Sequence, residues 1–188
     1  TYITIHETGN FAKGADAAAH AAYLRGSSAQ AAPVSWHYTV DDHSIYQHLP
    51  DCERAYHAGD GGSGPGNATS IGIEICVDAG GDFEQAKANA ASLVRLLMER
   101  HDIPLDRVVQ HNRWNGKDCP KTIRATAGAW EAFLALCGLQ EGLASQSFGV
   151  ILLSKPDLDA QLSSSLVGVM AIGQDAEFVA VLIRQARC

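Results

Sequence analysis

The segment SIGIEICV, residues 70–77, places a β-branched residue at every second position. β-Branched side chains favour strands, so we predict a strand here, with a loop in the glycine-rich residues 59–66 just before it. From Phe83 to His101 the pattern changes to one apolar stripe at helical spacing, and Pro104 follows its end. A strand that leads into an amphipathic helix is the unit from which α/β folds are built.

Further strand and helix patterns alternate on both sides of this unit. We predict strands in TYITIH (1–6), SWHYTV (35–40), SIYQHL (44–49) and at 107–111, and helices over 15–24 and 125–136. This alternation predicts an α/β fold with a mixed central β-sheet flanked by α-helices, formed by residues 1–139.

Residues 140–188 differ in character from the rest of the chain. A soft polar stretch, QEGLASQS, leads into apolar runs such as FGVILL and EFVAVLIRQ. The segment is too apolar for a disordered tail and too short for a large core of its own. We therefore predict a linker and a small C-terminal appendage, either α/β or helical.

Composition excludes several classes of protein. The chain has 188 residues, 46% of them hydrophobic and 19% charged, as in an ordinary globular protein. No apolar run approaches the roughly 18 residues of a membrane-spanning helix. The net charge of -7 is opposite in sign to the positive charge by which proteins attract nucleic acid. We expect neither membrane insertion nor a nucleic-acid partner. The chain has five cysteines, an odd number and too few for a scaffold held by disulfides. No signal peptide is visible in the sequence.

Two histidines and a cysteine form the candidate reactive group. His6 and His111 each close a predicted strand, where a side chain can reach a cleft, and Cys119 follows in the loop HNRWNGKDCP. Two imidazoles and a thiolate match the ligand preference of Zn²⁺, with a fourth position left open for water. The pattern alone leaves other interpretations open, namely an incidental thiol near a surface histidine, or a cysteine nucleophile paired with His111.

Five strings occur along the chain in the order ITIHET, SWHYTV, AYHAGDG, GPGNATSIGIEIC and QHNRWNGKDCP. Together they resemble the zinc-dependent N-acetylmuramoyl-L-alanine amidases of the type 2 amidase family, relatives of the peptidoglycan recognition proteins. The similarity is greatest to the Gram-positive autolysin and phage endolysin branch. It covers residues 1 to about 136 and implies a mixed sheet with helices on both sides and one Zn²⁺ in a surface groove.

The resemblance assigns roles to five positions. It places the zinc ligands on His6, His111 and Cys119, the residues already selected for their chemistry. It makes Glu74 the general base and acid, and it places Lys117 where the oxyanion of the tetrahedral intermediate is stabilised. The alternative roles are a strand-end charge paired with a basic residue for Glu74 and a solvated surface lysine for Lys117.

Three further residues are expected to contact substrate. By the same resemblance, His57 in AYHAG contacts the stem peptide or the oxyanion, or else caps a turn. Some relatives carry a catalytic tyrosine just before the histidine of the second strand, where this chain has Trp36. We therefore expect Glu74 to carry more of the proton transfer and Trp36 to line the groove. Tyr38, two residues further along, is expected to face the same side of the strand.

Two other polar residues receive a structural interpretation. His37 lies within a predicted strand and is expected to be a buried histidine with satisfied hydrogen bonds. Asn67, in GPGNATSIG, is expected to order its own loop through an Asx-type turn.

The resemblance implies hydrolysis of the amide between N-acetylmuramic acid and L-alanine in bacterial peptidoglycan. The two rival functions are a non-catalytic peptidoglycan-binding module and a cysteine hydrolase that uses Cys119 and His111. The protein is expected to act at the bacterial cell wall, either secreted or released from the cytoplasm as a phage endolysin. Because a net charge of -7 disfavours attachment to anionic wall polymers, residues 140–188 are expected to bind the wall or to self-associate.

Overall fold

The structure, a computed structural model, describes residues 1–139 and the backbone of one strand at 180–182. The strands are β1 (Tyr2–Glu7), β2 (Tyr38–Val40), β3 (Ser44–Gln47), β4 (Ser70–Ile75), β5 (Val108–Gln110) and β6 (Ala180–Leu182). The helices are α1 (Ala17–Arg25), α2 (Ser27–Gln30), α3 (Pro65–Thr69), α4 (Phe83–His101), α5 (Asn112–Asn115), α6 (Lys121–Ala125) and α7 (Ala129–Gly138), with a 3₁₀ turn at Leu105–Arg107. The expected mixed sheet with flanking helices is confirmed.

The sheet has the strand order β5-β1-β4-β2-β3-β6. Strands β5, β1, β4 and β2 run parallel to their neighbours, whereas β2 and β3 form an antiparallel pair. The carboxyl ends of four adjacent strands therefore meet at one edge of the sheet, where ligands bind in open α/β sheets. At this edge His6 of β1 is aligned with Glu74 of β4, which is aligned in turn with Thr39 of β2.

One face of the sheet forms the hydrophobic core, and we call it the core face. Its side chains alternate with polar residues along each strand because successive residues of a strand point to opposite faces. The buried residues of the core face and of the helices packed on it include Ile3, Ile5, Tyr38, Ile71, Ile73, Ile75, Leu93, Val94, Leu97 and Phe133. The opposite face, which we call the site face, carries Thr4, His6, Gly72 and Glu74. The isoleucines around Glu74 thus fill the core, and the glutamate points away from it.

The boundaries of some elements differ from those the sequence predicts. Helix α4 spans the residues predicted for it, capped by the Asp82 side chain at its start and by Asp102 in a left-handed conformation at its end. The helix predicted over 125–136 begins later, at Ala129, because Gly128 takes a φ of 77° and separates α6 from α7. A short helix beginning at Pro65 occupies the end of the predicted glycine-rich loop.

The predicted C-terminal appendage lies mostly outside the described residues. Within that segment, β6 extends the sheet by pairing parallel to β3. The expected wall-binding or self-association role of residues 140–188 stays a prediction. Across the described part of the chain, no helix has the length and apolar character needed to span a bilayer.

The buried carboxylate of Glu7 joins the end of β1 to the start of α6. Its two oxygens accept hydrogen bonds from the backbone N–H groups of Thr122, at 2.8 Å, and Ile123, at 2.9 Å. Helix α6 has no side-chain cap of its own at Pro120, so Glu7 supplies the partners that the first turn of a helix otherwise lacks. This contact fixes the chain immediately after Cys119 against the strand that carries His6.

We expect Glu7→Ala to lower the free energy of unfolding by about 1–3 kcal/mol, because buried N–H groups of α6 lose their acceptors. Denaturant unfolding of the full chain measures the change. The matched control is Glu99→Ala, an exposed glutamate of α4, which should shift stability by no more than about 0.5 kcal/mol. Equal effects of the two substitutions would contradict the capping role of Glu7.

Candidate metal centre

Three ligand-type side chains converge at the carboxyl edge of the sheet. His6 lies near the end of β1, and His111 follows β5 directly, with its backbone N–H donating to the carbonyl of Ile5 at 3.2 Å. The Nδ1 atoms of His6 and His111 are 3.0 Å apart, and the Cys119 sulfur lies 3.9 Å from the His6 Nδ1. All three residues are buried, and their ligand atoms lie within 4.8 Å of one another. The structure thus brings together the three residues predicted to hold a metal.

The loop between His111 and Cys119 folds back so that its two ends meet. The backbone N–H of Asn112 donates to the Cys119 carbonyl at 3.1 Å, and the Asn112 side-chain amide donates to the carbonyls of Gly116 and Lys117. Gly116 ends the short helix α5 with a φ of 79°, a conformation that favours glycine. The sulfur of Cys119 also accepts a hydrogen bond from the backbone N–H of Glu7 on β1.

The hydrogen-bond partners of the ring nitrogens fix the tautomers of the histidines. The Nε2 of His111 lies 2.9 Å from the carbonyl oxygen of Ala58, which can only accept, so this nitrogen carries the hydrogen. The Nε2 of His57 likewise donates to the carbonyl of Ser70, at 3.3 Å. The unprotonated Nδ1 of His57 then accepts from the Nε2 of His6 at 2.9 Å. Burial lowers the pKa of His6, His111 and His57, that of His57 to about 4, so all three rings are neutral at neutral pH.

These tautomers leave a lone pair on the Nδ1 of both His6 and His111, and the two lone pairs face each other across 3.0 Å. Two acceptors at that distance repel each other unless a cation or a proton lies between them, and burial disfavours the proton. The second nitrogen of each ring is already held by a protein acceptor, which is the arrangement that orients histidine ligands of metals. The residues therefore fit a metal ion with nitrogen and sulfur ligands.

A second group of ligand-type residues lies close together, namely Asp41, Asp42 and His43. The carboxylates of this group already accept hydrogen bonds from the protein. The Asp41 carboxylate accepts hydrogen bonds from the backbone N–H groups of Ala17 and Ser44. The Asp42 carboxylate accepts from the His43 ring at 2.6 Å. These carboxylates stabilise a turn and the start of a helix, which accounts for their close approach.

Glu74 lies beside the three ligand-type residues on the site face. Its Oε1 is 3.9 Å from the Nδ1 of His6, and its buried Oε2 has no hydrogen-bond partner in the part of the chain that the structure describes. Burial raises the pKa of Glu74 to about 8, against the opposite effect of the Lys117 charge, and Glu7 adds to the increase. Burial lowers the pKa of His6, which disfavours a charged partner for Glu74 at this position. Among the described residues, Glu74 forms no ion pair with a lysine or arginine.

Lys117 is exposed on the loop between His111 and Cys119. Its positive charge lowers the pKa of Glu74, His6, His111 and Cys119. The charge of Lys117 therefore acts on all four of these groups. A cation at this position is suited to stabilise negative charge that develops there.

His57 is held between β4 and the His6 ring. It is buried, and both of its ring nitrogens are bonded within the protein, to His6 and to Ser70. A Cβ atom at Gly72 would lie 2.7 Å from the His57 ring, so only glycine leaves room for this packing. The structure supports a role in orienting His6, and the expected contact of His57 with substrate stays a prediction.

Trp36 and Tyr38 lie on different sides of the sheet. The indole N–H of Trp36 donates to the Thr39 hydroxyl at 2.7 Å, on the site face, and its ring stacks on Tyr23. Tyr38 is 1% exposed on the core face, and its hydroxyl bonds to the Asp51 carboxylate. This corrects the expectation that Tyr38 shares the side of Trp36: β2 begins only at Tyr38, so strand alternation does not extend back to Trp36. Tyr38 does not reach the site, and the role of Trp36 in lining the groove stays a prediction.

Sequence reasoning missed two residues that organise the centre. Glu7 was not singled out, and Asn67 was assigned only to its own loop. The Asn67 side chain does bond its own loop, through the Gly61 carbonyl, but its oxygen also accepts from the backbone N–H groups of His57, at 2.8 Å, and Ala58, at 2.7 Å. The glycine inside β4, Gly72, marks the close approach of the His57 ring, but it carries no signal for Glu7 or Asn67. His37 is buried with both ring nitrogens bonded, as expected.

Comparisons with known proteins identify the family of the chain. The family model described as N-acetylmuramoyl-L-alanine amidase matches residues 1–122. The chain is 53% identical over 133 residues to the N-acetylmuramoyl-L-alanine amidase CwlH of Bacillus subtilis, covering 71% of this chain and 51% of CwlH. It is 52% identical over 149 residues to the amidase XlyA of the same species, covering 79% of this chain and 47% of XlyA.

A solved structure matches at the level of the fold. The catalytic domain of XlyA aligns with a TM-score of 0.67 and 53% identity, covering 73% of this chain and 85% of that domain. The chain spans about half the length of the curated relatives it matches. On the extent of the family match and the identity to these relatives, the chain belongs to the N-acetylmuramoyl-L-alanine amidase family.

Proposed function

We propose that this chain is a zinc-dependent peptidoglycan hydrolase that cleaves the amide between N-acetylmuramic acid and L-alanine. The observation that carries the proposal is the convergence of two unprotonated imidazole nitrogens and a cysteine sulfur within 4.8 Å. Beside them lies a glutamate with one buried oxygen that lacks a partner among the described residues. Membership of the amidase family supports the choice of scissile bond.

One Zn²⁺ per chain would be held by His6, His111 and Cys119. The choice of zinc rests on the donor set, because two imidazoles and one thiolate suit a borderline-soft cation better than Mg²⁺ or Ca²⁺, which prefer oxygen. Three protein ligands are the number found in catalytic rather than structural zinc sites. When bound, the ion supplies Lewis acidity toward the scissile carbonyl and toward water.

Glu74 moves the proton in the proposed reaction. With a pKa raised to about 8, its carboxylate is a stronger base than an ordinary glutamate, and its protonated form persists near neutral pH. It takes a proton from the water that attacks the carbonyl carbon and delivers it to the L-alanine nitrogen as the C–N bond breaks. The products are a carboxylate on the muramic acid side and a free amino group on the stem peptide. Since Trp36 cannot donate or accept this proton, both transfers are assigned to Glu74.

Lys117 stabilises the negative charge that develops on the carbonyl oxygen. Its charge already acts on Glu74 and on the histidines of the site. Lys117 is exposed, so its ammonium group is accessible to a bound substrate. This contribution is of the kind made by oxyanion-stabilising donors.

The two rival functions fit the structure less well. A cysteine nucleophile must be a thiolate, yet burial raises the pKa of Cys119, and its close imidazole neighbour is His6 at 3.9 Å rather than His111 as paired in that hypothesis. A non-catalytic binding module has no use for a buried glutamate whose oxygen lacks a partner, because burying that group costs free energy.

Action on peptidoglycan at the bacterial cell wall belongs to the same proposal. Secretion and release as a phage endolysin are both compatible with it. A wall-binding or self-association role for residues 140–188 is also proposed, since a net charge of -7 gives the chain little attraction for anionic wall polymers.

Protein purified without added zinc should contain about one Zn²⁺ per chain, and Cys119→Ser should lose it, because a hydroxyl is a much poorer ligand than a thiolate. Elemental analysis of the two proteins measures the content. The matched control is Cys137→Ser, which alters another buried free cysteine away from the site and should retain the metal. No zinc in the parent protein, even after reconstitution, would refute the metal mechanism.

Glu74→Gln should lower kcat by about 10²- to 10⁴-fold while leaving metal content unchanged, because the amide cannot accept the proton of the attacking water. The assay follows release of free L-alanine amino groups from purified peptidoglycan. Glu131→Gln, an exposed glutamate on α7, is the control and should behave as the parent. Appearance of glycan reducing ends instead of amino groups would show that a different bond is cut.

Lys117→Gln should lower kcat by about 10²- to 10³-fold with a small effect on KM, because the lysine acts mainly on charge that develops in the transition state. Steady-state kinetics on soluble muropeptides separates the two parameters. Lys121→Gln, an exposed lysine at the start of α6, is the matched control. A change confined to KM would instead assign Lys117 to substrate binding.

A further inference from the structure

A single dipeptide supplies the partner of each candidate histidine ligand. The ring of His57 accepts from the Nε2 of His6 at 2.9 Å, and the carbonyl of Ala58 accepts from the Nε2 of His111 at 2.9 Å. His6 lies on β1 and His111 directly follows β5, yet both depend on the position of residues 57 and 58. The Asn115 side chain also donates to the Ala58 carbonyl, at 3.0 Å.

That dipeptide is held in place by one side-chain oxygen. The Oδ1 of Asn67 accepts from the backbone N–H groups of both His57 and Ala58, at 2.8 and 2.7 Å. Asn67 itself is 2% exposed. Its side-chain amide donates to the Gly61 carbonyl at 3.0 Å, and its backbone N–H donates to the Asp60 carboxylate at 3.2 Å. Hydrogen bonds thus hold both the oxygen and the nitrogen of the Asn67 side-chain amide.

We propose that Asn67 is a positioning residue that sets the tautomer and orientation of both histidine ligands through the His57–Ala58 dipeptide. The inference rests on the proposed metal site and extends it by naming the residue that prepares that site. The hydrogen bonds of Asn67 go to residues 57, 58, 60 and 61 and not to the three ligand side chains. Its effect passes through the two acceptors that place the hydrogens on the Nε2 atoms and leave the Nδ1 lone pairs directed at the metal.

The chemistry of an asparagine suits this task. Its amide oxygen has two lone pairs and can accept both N–H groups, while its NH₂ group anchors the side chain to a third backbone position. Without it, two buried N–H groups lose their acceptor and the dipeptide is free to shift. Partners that orient histidine ligands typically contribute about 10- to 100-fold in metal affinity. A residue that holds two such partners should have an effect of at least this size.

The test measures zinc affinity of the full chain by competition with a chelator, so the readout does not depend on catalysis. We expect Asn67→Ala to weaken zinc binding by about 10- to 100-fold. The absorption spectrum of the Co²⁺-substituted protein should also change, because the imidazole ligands are no longer held in one orientation. Should Asn67→Ala fail to fold, Asn67→Ser takes its place, since the shorter side chain cannot reach both N–H groups.

The matched control is Asn89→Ala. Asn89 is also 2% exposed, and its side chain donates to the backbone carbonyl of Asp41 at 3.0 Å, on α4 and away from the site. Both substitutions remove a buried asparagine and should lower the stability of the metal-free protein, but Asn89→Ala should leave the zinc affinity and the Co²⁺ spectrum unchanged. Equal losses of affinity in the two variants would assign Asn67 to general stability and overturn the inference.

A double-substitution cycle separates the proposed route from a direct effect. His57→Phe keeps a ring of similar size but removes the acceptor of His6, and it should weaken zinc binding. If Asn67 acts partly through His57, the double variant should lose less affinity than the two single losses combined. Full additivity would overturn the route through His57.

The outcomes also separate this inference from the proposed function. A parent protein that binds no zinc would refute the metal site and the inference together. A parent that binds zinc tightly, with Asn67→Ala binding it equally well, would overturn the positioning role alone.

Discussion

Two imidazole nitrogens without hydrogens face each other across 3.0 Å in the interior of this domain. This arrangement is unfavourable by itself, and burial lowers the pKa of both rings and so disfavours relief by protonation. The surrounding protein nevertheless enforces it, because the other nitrogen of each ring has a fixed acceptor, His57 for one ring and Ala58 for the other. A site held in this way gains most from a cation, and binding to the folded state alone then adds directly to stability.

The parallel sheet is what allows three distant parts of the chain to meet at this point. Strand β1 lies between β4 and β5 and runs parallel to both, so His6, Glu74 and His111 reach the same edge. The hydrophobic face below them, packed against α4, holds the strand register that aligns His6 with Glu74. A shift of one residue would move Glu74 into the core and an isoleucine into the site. The packing of the core therefore also determines which side chains face the site.

The sequence pattern was sufficient to predict α4, because its apolar periodicity and its flanking residues indicate where the helix begins and ends. It failed where one backbone conformation decided the result. The φ of Gly128 delays the helix predicted from residue 125 until Ala129, and because β2 begins only at Tyr38, Trp36 does not share its side of the sheet. The convergence of His6, His111 and Cys119 could be predicted from residue type, because both histidines lie at the ends of strands and the cysteine follows in a short loop. The roles of Glu7 and Asn67 could not, because each bonds to backbone groups distant in the fold, and backbone partners leave no mark in the sequence.

The loop from His111 to Cys119 carries three residues of the candidate site. It begins and ends with a candidate metal ligand and carries Lys117 between them. Its hydrogen bonds run from the Asn112 side chain to the carbonyl of Lys117 and from the Asn112 backbone to the carbonyl of Cys119. A metal held by both ends of the loop would therefore restrict the backbone at Lys117 as well. The lysine is exposed and long, so a restricted backbone would help to keep its charge near a bound carbonyl. In the proposed reaction, metal binding and oxyanion stabilisation would thus be coupled through the nine residues 111–119, and the buried His6 at the sheet edge would hold the metal from the other side.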